Sequence, residues 1–124
     1  MSNFKRQRTA ETLRGFLAAE ISRLGDSRLE LVTITGCDMS PDLKNAWVYW
    51  SVMTLGSAEA EPKPTPRARI AEIEEALEGA ANLLKRRIAD DLELRYTPRL
   101  VFRHDHSLET SSRIEFLVKK AASN

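Results

Sequence analysis

The first part of the chain carries apolar side chains at steps of three and four residues, which is the period of an amphipathic helix. One stripe along this helix would consist of Leu13, Phe16, Leu17, Ile21 and Leu24. The pair Gly25-Asp26 ends the pattern, and glycine is common just after the last turn of a helix. The sequence therefore predicts a helix over residues 4–24.

Alternation with a period of two follows, which is typical of β-strands. Residues 29–35 predict a first strand, with a bulge or bend at Gly36, and residues 46–53 predict a second strand antiparallel to the first. The two faces of the second strand would carry, on one side, Ala46, Val48, Trp50 and Val52 and, on the other, Trp47, Tyr49 and Ser51. Since both faces carry an aromatic residue, the alternation alone leaves open which of them is buried.

A helical period returns from residue 67, after a stretch over residues 54–66 in which three alternate prolines disfavour both helix and strand. We expect that stretch to be an exposed, extended loop. Two apolar stripes follow, and between them lie Gly79 and Asn82, which are both unfavourable inside a helix. The pattern predicts a break or sharp kink at this point, where two helices meet.

The chain closes with a third strand over residues 100–104 and a last short helix that begins near Ser107. The predicted order is helix–strand–strand–helix–kink–helix–strand, an α+β fold with a three-stranded sheet and the helices on one face. A chain of 124 residues is long enough for one core, so we expect a single domain over residues 1–124.

The composition, with 42% hydrophobic and 30% charged residues, is that of a soluble globular domain. The apolar runs are too short to cross a bilayer, and the basic N-terminal residues lack the apolar stretch of a signal peptide. Cys37 is the single cysteine, which excludes an intramolecular disulfide and a zinc site built from cysteines. We expect a cytoplasmic protein that binds no membrane.

Charge is distributed unevenly along the chain, although the net charge is only +1. Six basic and three acidic side chains occur in residues 1–28, four and nine in residues 29–80, and nine and six in residues 81–124. Two basic ends around an acidic middle could form one face that binds a polyanion. The alternative is scattered, solvated charge, and the charge pattern alone favours neither.

The residues that could support catalysis are few. His104 and His106 flank Asp105 at the end of the third strand, but the chain has no further histidine and no cysteine pair to complete a metal site. The sequence marks no nucleophile on a sharp turn and no glycine-rich phosphate loop. We therefore expect no catalysis, no metal, no cofactor and no small-molecule substrate.

Nucleic-acid binding has better support. The cations Lys85, Arg86 and Arg87 follow the predicted break, where a helix N-terminus would offer free backbone N–H groups to a phosphate. Arg95 and Arg99 continue the basic stretch. A solvated basic helix face would give the same local pattern. Trp47 and Tyr49 could stack on bases, although burial is the more frequent fate of such residues.

The element order resembles the type II KH architecture of RNA-binding domains, without its Gly-X-X-Gly turn. Five fragments, in the right order, resemble the ribosome-binding factor A family. They are Arg8 with Glu20-Ile21; Asp26-Ser27-Arg28-Leu29 with Val32-Thr33-Ile34-Thr35; Asp42-Leu43 with Ala46-Trp47-Val48-Tyr49-Trp50-Ser51; Leu94-Arg95-Tyr96-Thr97-Pro98-Arg99-Leu100 with Phe102; and Asp105, Ser107 and Ile114. One departure is the kink, where the family usually has Ala-X-Gly and this chain has Ala80-Ala81-Asn82.

The resemblance implies a non-enzymatic bacterial factor that binds the small (30S) ribosomal subunit and its 16S rRNA during late maturation. Such factors support processing of the 5′ end of the rRNA and matter most in the cold. We expect a monomer whose RNA-binding residues are Lys5, Arg6, Arg8, Asn82, Lys85, Arg86, Arg87, Arg95 and Arg99. The alternative is a KH-like protein-interaction module without direct RNA contact.

Overall fold

The computed structural model describes residues 2–52 and 65–106, together with residues 118 and 121. Its helices and strands are α1 (Ser2–Arg23), β1 (Val32–Met39), β2 (Asn45–Val52), α2 (Arg67–Asp91) and β3 (Arg99–His104). The sheet has the order β1-β2-β3, in which β1 is antiparallel and β3 parallel to β2. This arrangement confirms the predicted α+β class and the three-stranded sheet. Neither α1 nor α2 is long and apolar enough to cross a membrane.

The first helix turns its predicted stripe towards the core, and Phe16 and Leu24 of that stripe are half-buried. Leu13 and Leu17 are fully buried, Ala10 and Ile21 nearly so, and this face packs on β1. Gly25 follows the helix with a φ of 69°, a left-handed conformation that glycine adopts without steric cost. The helix therefore ends close to the predicted residue, and burial of one face stabilises it.

The first strand begins later than predicted. Residues Ser27–Leu29 form a single 3-10 turn instead, because the Asp26 carboxylate accepts a hydrogen bond from the backbone N–H of Arg28 and caps it. The predicted bulge at Gly36 is confirmed by a shift in the β1–β2 register between Ile34 and Gly36. A ring carbon of Tyr49 would lie 3.8 Å from a Cβ at Gly36, so the aromatic ring covers the backbone there.

The second strand shows which of its faces is buried. Ala46, Val48 and Trp50 are fully buried against the helices, whereas Trp47 and Tyr49 lie half-buried on the opposite face of the sheet. The buried residues of the sheet and of both helices form one cluster. The helices therefore cover one face of the sheet, as predicted.

The predicted break at residues 79–82 is wrong, because α2 is one uninterrupted helix. Among the described residues, positive φ occurs only at Gly25 and Leu43, so Asn82 is not left-handed. The physical reason is that the buried residues before and after this point lie on the same face of one helix. They are Ile73, Ala76, Leu77, Leu84 and Ile88. Gly79 and Asn82 lie on the exposed side, where each costs at most about 1 kcal/mol relative to alanine.

Two predicted elements lie largely outside the described residues. Of the expected exposed loop over residues 54–66, only Thr65 and Pro66 are described, and Thr65 is in fact buried. Of the predicted last helix, only residues 118 and 121 are described, and both are helical. The third strand is confirmed and starts one residue earlier than predicted.

Candidate nucleic-acid interface

A cleft of about 540 Å³ lies between the N-terminal half of α1, the turn before β2 and the segment that follows α2. Its lining residues are Phe4, Lys5, Arg8, Thr9, Thr12, Leu43, Glu93, Leu94, Arg95 and Tyr96. Three cations predicted to bind RNA are among them, from opposite ends of the sequence. The tertiary fold thus brings Lys5, Arg8 and Arg95 to one site.

The wall formed by α1 follows from the helical period. The lining residues of α1 follow one another at steps of three, one and three residues, so they share one face of the helix. They are Lys5, Arg8, Thr9 and Thr12. The neighbouring stripe, which starts at Ala10, is buried against the sheet. Packing of that stripe fixes the rotation of the helix and turns the polar face towards the cleft.

Tyr96 forms the aromatic part of the opposite wall and contacts two cations. The Lys44 ammonium lies 5.0 Å from the centroid of the Tyr96 ring, and the Arg95 guanidinium carbon lies 5.4 Å from it. Both distances are within the range of cation–π attraction. Among the described residues, Phe4 and Tyr96 are two of four large hydrophobic side chains exposed to solvent. Neither these rings nor Lys44 were predicted from the sequence to bind RNA.

A rigid turn positions Lys44 beside the cleft. The Asp42 carboxylate accepts hydrogen bonds from the Ser40 hydroxyl, at 2.6 Å, and from the Lys44 backbone N–H, at 3.1 Å. These bonds lower the pKa of the Asp42 carboxyl below its ordinary value. Leu43 has a φ of 63°, and the Lys44 carbonyl accepts a bond from the N–H of Arg99 at 2.8 Å. The turn is therefore held by both its own side chains and β3.

The basic cluster on α2 differs from its predicted setting. Since α2 is continuous, Lys85, Arg86 and Arg87 lie within its last two turns, and their backbone N–H groups belong to the helix. The phosphate site that we expected at a helix N-terminus is therefore absent from residues 79–87. Helix dipole attraction for a phosphate is also lost, because these cations lie near the negative end of the helix.

Arg87 has a partner inside the protein. Its Nη1 donates to Oε2 of Glu20 at 2.6 Å, and Nη1 of Arg23 donates to Oε1 of the same carboxylate at 3.1 Å. The Glu20 side chain is only 7% exposed, whereas that of Arg87 is 36% exposed. Arg87 therefore joins α2 to α1, with part of its guanidinium still reachable from solvent.

Most of the predicted RNA-binding residues thus fall into two groups, and Arg6 and Arg99 belong to neither. Lys5, Arg8 and Arg95 line the cleft, and we call them the cleft cations. The second group lies on α2, where Arg86 and Asn82 are exposed. On α1, Arg8 and Glu20 are twelve residues apart, or about 18 Å at the helical rise, so the two groups are separate. Arg6 and Arg99 do not line the cleft.

A compact cluster at the end of β3 consists of His104, His106 and Trp50 of β2. Nδ1 of His104 lies 3.2 Å from Nε2 of His106, and the His104 ring packs on Trp50 with centroids 4.5 Å apart. Asp105 accepts a hydrogen bond from the Thr35 hydroxyl at 2.8 Å. Within residues 2–52 and 65–106, no three histidine, cysteine, aspartate or glutamate side chains are placed to hold a metal ion.

Comparison with known proteins decides the family. The model of the family "Ribosome-binding factor A" matches residues 5–118. The chain belongs to the ribosome-binding factor A family. A member from Thermomicrobium roseum is 38% identical over 121 residues, which cover 97% of this chain and 85% of that protein.

Solved structures of ribosome-binding factor A share the fold. The crystal structure of the Thermus thermophilus protein has a TM-score of 0.63 at 25% identity and covers 80% of this chain and 94% of its own. A homology model of the same factor, fitted into a cryo-electron-microscopy map of a complex with the 30S subunit, has a TM-score of 0.58 at 26% identity. It covers 78% of this chain and 91% of its own.

Proposed function

We propose that this chain binds the small ribosomal subunit as an assembly factor and contacts its 16S rRNA through the cleft cations. The observation that carries the proposal is the convergence of Lys5, Arg8 and Arg95 on one cleft beside exposed aromatic rings. Support also comes from the relative that was fitted into a map of a 30S complex.

The proposed mechanism uses binding energy and no chemistry. Phosphate contacts supply affinity that is largely independent of sequence, and the shape of the folded RNA supplies specificity. A factor of this kind would hold immature rRNA in one arrangement during late maturation and so support processing of its 5′ end. Its importance would be greatest in the cold, where misfolded RNA helices rearrange slowly. We propose that it acts as a cytoplasmic monomer, without catalysis, metal or cofactor.

The two basic groups would contribute unequally to RNA binding. The cleft cations lie with aromatic rings and threonine hydroxyls, so they form the primary contact. Arg86 and Lys85, with Arg6 and Arg99, extend the surface and add long-range attraction. Asn82 carries no charge and would add only a hydrogen-bonding side chain. Arg87 contributes less, because its guanidinium is already paired with Glu20.

Co-sedimentation with purified 30S subunits, compared with assembled 70S ribosomes, tests the proposal. The wild type is compared with a Lys5→Ala/Arg8→Ala/Arg95→Ala variant and with Lys85→Ala/Arg86→Ala. We expect the cleft variant to lose most of its 30S binding and the α2 variant to lose less. Arg67→Ala, which removes an exposed cation at the far end of α2, is the matched control and should bind as the wild type does.

Salt dependence separates this function from the alternative, a protein-interaction module. A protein that makes roughly five phosphate contacts should lose affinity with a log–log slope of about −3 to −5 against salt concentration. A flat salt profile, with the cleft variant still bound to 30S subunits, would contradict the proposal and favour contact with a ribosomal protein.

A further inference from the structure

The cleft combines features that simple attraction to phosphates does not require. Phe4 is 70% exposed and Tyr96 is 39% exposed, although aromatic rings are usually withdrawn from water. Both rings line the same cleft, and two cations, Lys44 and Arg95, lie over the Tyr96 ring. Exposed aromatic rings and guanidinium planes among cations are the means by which proteins bind unpaired bases.

We propose that this cleft binds one unpaired nucleotide of RNA, with its base stacked on Tyr96 and its phosphates on Lys5 and Arg8. This inference rests on the proposed function, because it names the form of RNA that the same surface takes. Single-stranded loops, bulges and ends would be bound in the cleft, whereas duplex would contact only the outer cations.

The dimensions and the charge of the cleft fit such an occupant. Its volume of about 540 Å³ lies within the roughly 300–1,000 Å³ of sites that enclose a small organic group. Lys5, Arg8 and Arg95 outnumber the one carboxylate among the lining residues, that of Glu93. A nucleotide carries negative charge on its phosphate and none on its base, which matches a cleft lined by both cations and aromatic rings.

The wall formed by α1 also offers hydroxyl groups for hydrogen bonds. Thr9 and Thr12 follow Lys5 and Arg8 along α1, and each hydroxyl can both donate and accept. They can therefore bond a base edge or a ribose 2′-hydroxyl while the cations hold the phosphate. Lys44 and Arg95 lie over the Tyr96 ring, so a base that stacks on a covered face takes the place of the cation there.

Fluorescence anisotropy with a short oligouridine, and with a blunt duplex RNA of equal length, tests this inference on the full chain. We expect Tyr96→Ala to weaken single-strand binding by about 5- to 100-fold, the effect of losing one stacked base. Tyr96→Phe keeps the ring and should stay within about two-fold of the wild type. Arg8→Ala should reduce the salt slope by about one, as expected for one lost phosphate contact. Arg67→Ala should change neither quantity.

Equal binding of oligouridine by the wild type and Tyr96→Ala, or equal binding of duplex and single strand by the wild type, would overturn the inference. Equal melting temperatures of the variants ensure that folding is not the cause, and the salt slope of Arg8→Ala provides a second measurement. If oligouridine binding depends on Tyr96 but the wild type does not sediment with 30S subunits, the proposed function fails and the cleft assignment stands. If 30S binding persists unchanged in Tyr96→Ala and so does oligouridine binding, only the cleft assignment fails.

Discussion

Glu20 and Arg87 connect the two helices through an ion pair in which Oε2 of the glutamate lies 2.6 Å from Nη1 of the arginine. The glutamate side chain is almost fully buried, while the arginine is partly solvated. Arg23 shares the same carboxylate. The pair explains how α1 and α2 are kept in register along one edge of the fold.

Replacing Glu20 with glutamine should lower the free energy of unfolding by about 1–3 kcal/mol. The glutamine amide can still accept one hydrogen bond, but it lacks the charge that attracts both arginines. Its NH2 group would replace a buried oxygen that accepts from an arginine, so one donor would face another. Urea unfolding followed by circular dichroism measures the change. Glu11→Gln is the matched control, since Glu11 pairs with Arg14 at the surface, where such pairs contribute little. Equal effects of the two substitutions would contradict the role of Glu20.

Substitutions at residues 79 and 82 test whether α2 is continuous. In an uninterrupted helix, Gly79→Ala should stabilise the protein by about 0.5–1 kcal/mol, and nothing lies within 4 Å of the added methyl group. Asn82→Gly should destabilise it by a few tenths of a kcal/mol, because glycine is the poorer helix former. Thermal unfolding gives the sign of each change. A left-handed kink at Asn82 would reverse the second sign, since glycine is favoured there.

Adjacent leucines on α2 should respond very differently to the same substitution. Leu84 is fully buried, whereas Leu83 is 37% exposed. Leu84→Ala should therefore cost about 2–5 kcal/mol through lost burial and the cavity left behind, and Leu83→Ala should cost about 0.5 kcal/mol or less. Chemical denaturation of both variants checks the orientation of the helix. Similar costs would mean that α2 is rotated relative to the core.

Cys37 should react slowly with thiol reagents while the protein is folded. Burial, helped by the carboxylates of Asp38 and Glu11, raises the pKa of this thiol to about 11 from 9.0. At pH 8 the folded protein should therefore contain about 100-fold less thiolate than the unfolded chain, and thiolate is the reactive form. Ellman's reagent, added with and without guanidinium chloride, measures the ratio. Equal rates would show that the thiol is not shielded.

The same shift predicts a loss of stability at alkaline pH. The unfolded thiol releases its proton near pH 9 and the folded thiol only near pH 11, so the folded state binds more protons in between. Stability should then fall as pH rises through this window. Cys37→Ala removes the contribution, so its stability should vary less between pH 9 and 11 than that of the wild type.

Periodicity predicted most of the secondary structure because burial of one face imposes it. On α1 the predicted stripe is buried at Leu13, Leu17 and Ile21 and half-buried at Phe16 and Leu24, and on β2 the face that carries Trp50 is buried throughout. The prediction failed at Gly79 and Asn82. The low helix propensity of these two residues was given more weight than the apolar residues on both sides, which lie on one helix face. Those residues are exposed, and packing of the opposite face outweighs their small cost.

The sequence by itself determined the place and order of α1, β1, β2, α2 and β3, the bulge at Gly36 and, through its motifs, the family. Only the tertiary structure decided which face of β2 is buried, that α2 is continuous, and that Arg95 lies with Lys5 and Arg8 while Arg87 pairs with Glu20. The physical reason is that apolar residues must meet in one core, so their spacing along the chain shows which face of each helix or strand points towards it. Solvated charges carry no such constraint, and their neighbours are fixed only when the elements pack.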